Sequence, residues 1–324
     1  MSEGIKRILV TGANGFVGAA LCERLTEQGI EARAAVRAVG SARNRSLDTQ
    51  IVAVGDIHAD TNWTAALTGV THVVHLAARV HVMQETARDP LQIFRTVNTA
   101  GTLNLARQAA EAGVRRIVYM STIKVNGERT SGRPFYAEDD PKPEDAYAQS
   151  KLEAELALND ISQNTELEVV IVRPPLVYGP GVKGNFVAIL RATQKGWPLP
   201  LANCDNRRSF VGLTNLISLL EKCVAHPAAA GQVFLVADGD DLSTPELLRR
   251  VAHALGRKAR LLPFPPALLH LAAKIVRRPG IYERLCSSLQ VDIGKAHKLL
   301  GWSPTCSVDA ELARTASWYV ALNR

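Results

Sequence analysis

Aromatic residues are scarce in this chain: Phe, Trp and Tyr make up 5% of its 324 residues. Proteins that hold single-stranded nucleic acid stack bases on aromatic side chains along a continuous basic groove. Here the basic residues are instead scattered in pairs, Arg115-Arg116, Arg207-Arg208, Arg249-Arg250 and Arg277-Arg278. No nucleic-acid partner is expected, and small phosphorylated ligands account more simply for a net charge of +7. Cysteine is also sparse. The five residues Cys22, Cys204, Cys223, Cys286 and Cys306 are far apart in sequence, odd in number and form no CxxC, which fits reduced thiols in the cytoplasm. Long apolar runs are missing, since no stretch reaches the ~20 residues that cross a bilayer. Met1-Ser2-Glu3-Gly4-Ile5-Lys6-Arg7 leads straight into the first apolar segment, so no signal peptide is expected. Absent too are HExxH and Gly-x-Ser-x-Gly. His72 and His75 stand at odd spacing on a predicted strand, hence on opposite faces, and no metal site is expected.

What is present is ordinary globular chemistry, 47% hydrophobic and 21% charged residues. Short β-branched runs at Ile5–Val10, Glu31–Val36, Gln50–Val54, His72–Leu76, Arg116–Met120 and Glu168–Val172 alternate with helical patterns. Those patterns fall at Gly15–Gln28, Pro90–Ala112 and Ala146–Ile161. Such alternation predicts an α/β fold, a Rossmann-type doubly wound parallel sheet with helices on both faces. Beyond about residue 175 the chain is more irregular and richer in proline, with helical patterns at Asn215–Ala225, Pro245–Leu255 and Ala267–Val276. We therefore expect a dinucleotide-binding domain over 1–175, to which segments near 209–240 return, and a smaller α/β substrate lobe over 176–324. The apolar, basic-ended segment Ala267–Arg278 reads as a packed lobe helix rather than a membrane contact.

Three motifs carry chemistry. The first is Gly12-Ala13-Asn14-Gly15-Phe16-Val17-Gly18, between the first strand and first helix. There Gly12 allows a tight turn, Gly15 lets backbone amides approach a diphosphate, and Gly18 permits close helix–strand packing. The helix N-terminus adds partial positive charge. The second is Tyr147-Ala148-Gln149-Ser150-Lys151, which puts a phenol and an ammonium four apart on one helix face. A nearby cation stabilises phenolate, so such a tyrosine can exchange a proton near neutral pH. The third is Thr122, at the end of the fifth predicted strand, where its hydroxyl could bond a reacting oxygen beside Tyr147.

In this order and spacing, together with His75-Leu76-Ala77-Ala78, Asn98, Arg173-Pro174-Pro175-Leu176-Val177-Tyr178-Gly179-Pro180-Gly181 and Leu300-Gly301-Trp302-Ser303-Pro304, the motifs resemble the extended short-chain dehydrogenase/reductases that act on nucleotide-sugars. The resemblance, to the NAD-dependent epimerase/dehydratase family, runs over nearly the whole chain. It implies Thr122, Tyr147 and Lys151 as the catalytic set, with Tyr147 the general acid/base and Lys151 holding the nicotinamide ribose. It places the cofactor against Gly12, Asn14, Gly15, Phe16, Val17, Gly18, Arg37, Asp56, Ile57, Leu76, Ala77, Ala78, Asn98, Arg173 and Pro174, besides Tyr147 and Lys151. For the substrate it implies Thr122, Lys124, Asn185, Pro200 and Arg208, the last as a diphosphate clamp beside Arg207. Asn126 departs from the family, where many members have Tyr in a Val-Tyr-Gly turn, and this departure argues against an ordinary galactose epimerase.

Arg37 stands at the end of the second strand, where NAD-specific proteins usually carry an acid. A guanidinium there can neutralise a 2′-phosphate, so NADP(H) is the expected cofactor, with NAD(H) the other possibility. The string around Thr122–Glu128 looks most like a bacterial subgroup in surface-polysaccharide synthesis. That resemblance implies an oxidoreductase that reduces the C4 ketone of a UDP-4-keto-6-deoxy-N-acetylhexosamine. The alternative is a UDP-hexose or UDP-N-acetylhexosamine 4-epimerase with tightly bound NAD, and a third class is a dinucleotide sensor without chemistry. Relatives pair two long helices, here Pro90–Ala112 and Ala146–Ile161, so a homodimer is expected.

Overall fold

The computed structural model describes residues 5–38, 49–80, 89–265 and 285–323, with Leu268 and Glu283 besides. His81 and most of the 267–278 segment lie outside the described residues. Seven parallel strands form one sheet. They are β1 (Arg7–Thr11), β2 (Glu31–Val36), β3 (Gln50–Ala53), β4 (His72–His75), β5 (Arg116–Met120), β6 (Glu168–Arg173) and β9 (Val233–Leu235). Their spatial order is β3-β2-β1-β4-β5-β6-β9. Strand order reverses between β1 and β4, and in such sheets ligands bind in the crevice beyond the carboxyl ends at that point. A second, two-stranded sheet pairs β7 (Leu176–Tyr178) with β8 (Phe210–Gly212) in parallel. The architecture is a Rossmann-type α/β fold.

Side chains alternate across the sheet, so each strand feeds two cores. Ile8, Val10, Ala34, Val74, Val118 and Val170 face one layer, packed on α1 (Phe16–Glu27) and α7 (Leu213–Ala225). Leu9, Ala35, Val73, Ile117, Val169 and Ile171 face the other, against α4 (Thr102–Glu111) and α5 (Ala146–Asn164). Both faces being covered explains why the strands read as continuous apolar runs. A separate apolar cluster joins Tyr178, Phe186 and Phe210 to α8 (Thr244–Ala254) and α10 (Val308–Leu322). Between α8 and α10 lies α9 (Gly294–Leu300). Among the described residues no helix is long and apolar enough to cross a membrane.

One sequence expectation changes, and two features appear that the sequence did not show. The pattern over Pro90–Ala112 is not one α-helix: α3 (Pro90–Phe94) runs into a π-helical segment, Arg95–Gly101, before α4. Cys204 and Cys286, distant in sequence, bring their free thiols within 2.6 Å. Finally, part of the basic excess serves the interior. Arg116, 1% exposed, donates through Nη1 to the carbonyls of Cys223, Val224 and His226, each at 2.9 Å, and its Nη2 pairs with Glu168 at 2.6 Å. It thus caps the carboxyl end of α7, whose last carbonyls have no helical partner. Arg33 does the same for α2 (Thr64–Leu67) through the carbonyls of Ala65, Ala66 and Thr68.

Candidate active site

At the switch point the turn after β1 abuts the segment after β4. Gly12 adopts φ +67°, and a Cβ there would stand 2.8 Å from the Ala77 nitrogen. A Cβ on Gly18 would run into the Gly12 carbonyl, so α1 lies directly on the turn. Gly15 caps α1 without a side-chain bond, and the first turn holds no acidic residue. Its N–H groups and partial positive charge therefore meet the crevice uncompensated, which fits a dinucleotide diphosphate. Phe16 is partly buried and packs on the cluster of Tyr178 and Phe186, close to Gly181, while Val17 is buried in the sheet core.

Below this turn runs a buried polar chain. Thr11 Oγ1 accepts from the Leu76 and Ala77 N–H groups at 3.2 and 3.1 Å, so its own proton goes to His75 Nδ1 at 2.6 Å. His75 Nε2–H then donates to Thr102 Oγ1 at 2.9 Å. Burial, and secondarily the Lys151 charge, push the His75 pKa down to about 3, so the ring is neutral and its tautomer fixed. The ring stacks on Tyr119.

Helix α5 begins at Asp145, whose carboxylate accepts from the Ala148 N–H at 2.7 Å and takes Lys124 Nζ at 2.7 Å. Tyr147 is half-buried with Phe94 edge-on at 5.9 Å, and Lys151 is buried with its Nζ 3.9 Å above the Tyr119 ring. Burial, then Asp145, push the Tyr147 pKa up to about 12. Burial pulls Lys151 down to about 7, with Glu155 opposing it. Tyr147 and Lys151 stand four residues apart on α5, and burial favours the neutral form of both, the chemistry a candidate acid/base pair requires. Thr122 opens a 3-10 turn, Ile123–Val125, that packs on α5. Lys124 of that turn bridges Asp145 and Glu128, at 2.7 Å each. Burial works against its charge, yet these two carboxylates carry its pKa above the ordinary value.

The other sequence-predicted residues fall as follows. Asn98, in the π-helical segment, bonds the N–H and carbonyl of Arg79 and donates to Ser150 Oγ at 3.0 Å, while Ser150 Oγ donates to the Tyr147 carbonyl. Its amide thus ties the segment after β4 to α5. Ile57 packs where Gly101 leaves no room for a Cβ. Arg37 and Asp56 pair at 3.1 Å, both largely exposed. Arg173 turns inward to Glu155 and Asn126, and the Pro174 carbonyl accepts from the Ile123 N–H at 2.9 Å. Beyond β7, Asn185 is exposed at the start of α6 (Asn185–Gln194), Pro200 is half-buried, and Arg208 donates to the Ser287 carbonyl at 2.8 Å. Ala78 and Asn14 are half-buried at the crevice edge. Sequence reading passed over Thr11, Ser121 and Glu155. Only Glu155 left a signal, since it continues the four-residue spacing of Tyr147 and Lys151.

A Gly-rich turn packed against the segment after β4, at the switch point of a parallel sheet, defines the class: a Rossmann-type α/β protein. Residues 8–237 match the model of the NAD dependent epimerase/dehydratase family. The chain is 44% identical to a UDP-glucose 4-epimerase of Vibrio cholerae, over 98% of this chain and 97% of that one. It belongs to this family. Among solved structures it is similar to a UDP-glucuronic acid 4-epimerase of Bacillus cereus in complex with NAD (TM-score 0.80, 21% identity, covering 98% of this chain and 100% of that one). It is likewise similar to a UDP-glucose 4-epimerase of Thermotoga maritima with UDP-glucose (TM-score 0.78, 19% identity, covering 98% and 100%). The expected preference for NADP(H) finds no support in these likenesses: the matching family is described as NAD dependent, and the Bacillus cereus enzyme is in complex with NAD.

Proposed function

We propose that this chain interconverts the C4 epimers of a UDP-hexose, using an NAD that stays bound. The observation that carries this reading is the 44% identity, end to end, with the Vibrio cholerae UDP-glucose 4-epimerase. Two features had favoured net reduction. One of them, Asn126, is 2% exposed and bonded to Arg173 and the Tyr136 carbonyl, so its departure from tyrosine reflects packing rather than a different reaction.

The glycine turn, Gly12 to Gly18, would hold the diphosphate of NAD, with Arg37 and Asp56 at its adenosine end and Lys151 on the nicotinamide ribose. When bound, the nicotinamide supplies reversible hydride transfer at C4. Tyr147 takes the proton from O4 of the sugar and returns it, while the Thr122 hydroxyl orients that oxygen. Burial, then Asp145, keeps Tyr147 protonated, and a charged Lys151 brought to the phenol by bound cofactor and substrate would offset it. Arg208 carries a guanidinium fork suited to the diphosphate of the UDP-sugar. Asn185, Pro200 and Lys124 complete the substrate side. Two copies would pair through the α4 and α5 faces.

The test is incubation of purified protein with UDP-galactose and no added nucleotide, with denaturation to release and quantify bound NAD+. Stoichiometric NAD+ and UDP-glucose formation are expected. A second reading, reduction of a UDP-4-keto-6-deoxy-N-acetylhexosamine, retains one observation, Arg37 in place of an acid after β2. Protein that lacks bound NAD+ and consumes NADPH with that ketone would replace the first reading by the second.

A further inference from the structure

Behind Tyr147 and Lys151 lies a buried ionic cluster drawn from four segments. Glu155, 2% exposed, sits one turn beyond Lys151 on α5. Its Oε1 accepts from Ser121 Oγ, at the end of β5, and from Arg173 Nε at 3.1 Å, while its Oε2 takes Arg173 Nη2 at 2.5 Å. Arg173, the last residue of β6 and 4% exposed, spends its remaining fork on Asn126 Oδ1 at 2.9 Å. Asn126 closes the 3-10 turn that Thr122 opens, and anchors itself to the Tyr136 carbonyl at 2.9 Å.

Burying a carboxylate and a guanidinium is costly unless both are paired and their remaining donors and acceptors are bonded. Here Glu155 has a bidentate partner and a hydroxyl, and each terminal guanidinium nitrogen has an acceptor. A cluster this complete is rigid, and it couples the 3-10 turn that Thr122 opens to α5, which carries both Tyr147 and Lys151. It also leaves the Glu155 carboxylate one helical turn from Lys151, whose charge burial disfavours. The titratable groups around Lys151 are Tyr147 and Glu155 on its own helix, Tyr119 on β5 and the neutral His75 on β4. From β6 comes Arg173, which is bound to Glu155.

We propose that Glu155 is the positioning residue of this site, the counter-charge that keeps Lys151 an ammonium and the hub that holds the Thr122 turn in register with α5. The role rests on the proposed function for its catalytic meaning, but not for its electrostatics. The full-length protein is labelled with [13Cε]-lysine, the Lys151 signal is assigned by its loss in Lys151→Met, and its titration is followed by chemical shift. Glu155→Gln removes the anion and leaves Arg173 unopposed, so the Lys151 midpoint falls by about one unit or more, a tenfold change in its protonation ratio. Glu155→Asp keeps the charge and restores the midpoint to within about half a unit of the parent. If Glu155→Gln does not fold, Glu155→Met/Arg173→Met removes both charges, and its midpoint falls less than the single variant's would.

The rate of UDP-hexose interconversion at high pH falls in step with the midpoint. A midpoint unmoved in whichever variant folds overturns the proposal. A moved midpoint in a protein without epimerase activity overturns the proposed function alone.

Discussion

Gly12→Ala tests the claim that the turn after β1 and the segment after β4 are built in contact. Two separate terms make up its cost. The left-handed backbone at φ +67° disfavours any Cβ by about 1–2 kcal/mol. The added methyl would also stand 2.8 Å from the Ala77 nitrogen and 3.0 Å from the Leu76 carbonyl carbon. Both are backbone atoms that cannot swing away, and overpacking of this kind costs about 1–3 kcal/mol. The sum is roughly 2–5 kcal/mol. Gly29→Ala is the matched control. Gly29 has φ +69° and nothing within 4 Å of the place its methyl would take, so it carries the backbone term alone. Urea denaturation of the three proteins, at equal NAD+ content, reads both terms. Gly12→Ala should lose about 1–3 kcal/mol more than Gly29→Ala, and it should retain less NAD+, since Ala77 must shift from Thr11. Equal losses in the two variants would refute the steric account of the turn.

Tyr147→Phe should lower kcat about 10²- to 10⁴-fold with the circular dichroism spectrum unchanged, and a loss under tenfold would remove Tyr147 from the chemistry. Burial holds His72 and His75 at about 4 and about 3, below their ordinary value of 6.5. Their neutral state therefore contributes stability above pH 6.5 that is lost as pH falls toward those values, by up to about 1.4 kcal/mol per unit for each. Denaturation midpoints at pH 6.5, 5.5 and 5.0 should show this slope, and His75→Gln should flatten it. An unchanged slope would mean that His75 is not buried neutral. Arg116→Met should cost about 3 kcal/mol by uncapping α7 and stripping Glu168. Arg115→Met, on the exposed neighbour, should cost less than about 0.5 kcal/mol by the same denaturation curves.

The sheet was legible because both its faces are covered, which leaves β-branched runs with little else to become. Strands β7, β8 and β9 were not, at three residues each, since so short a run cannot be told from a loop. Helix α10 escaped because buried Glu311 and Thr315 interrupt its apolar stripe. Within the site, helical spacing put Tyr147 and Lys151 on one face of α5, and only the glycine turn and Thr122 beside them singled the pair out. The contacts Ser121–Glu155, Glu155–Arg173 and Arg173–Asn126 were not readable, for they span 18 to 47 residues of sequence and exist only once β5 and β6 lie side by side. The π-helical segment likewise has no sequence period of its own, and it became visible through Asn98 and Gly101, which its geometry brings to Ser150 and Ile57.

Arg37 and Asn126 both bent the sequence reading toward reduction, yet they carry unequal weight once their surroundings are known. Asn126 is locked in a buried cluster and cannot report on the substrate. Arg37 pairs with Asp56 at the surface, with 82% of its side chain exposed, and such pairs contribute about 0–1 kcal/mol. A 2′-phosphate could therefore displace Asp56 at little cost, so the pair does not by itself forbid NADP. It does place a carboxylate 3.1 Å from the guanidinium, and that carboxylate would repel the phosphate while accepting from adenosine hydroxyl or amino groups. Binding of NAD+ and NADP+ to cofactor-stripped protein, its Arg37→Ala variant and its Asp56→Asn variant separates the two effects. If NAD is the working cofactor, Arg37→Ala changes NAD+ affinity less than about fivefold, within the roughly 1 kcal/mol of an exposed pair. Asp56→Asn should then raise NADP+ affinity more than NAD+ affinity. Parent protein that binds NADP+ at least about tenfold more tightly than NAD+, with the preference lost in Arg37→Ala, would return the cofactor, and with it the direction of the reaction, to the reductive reading.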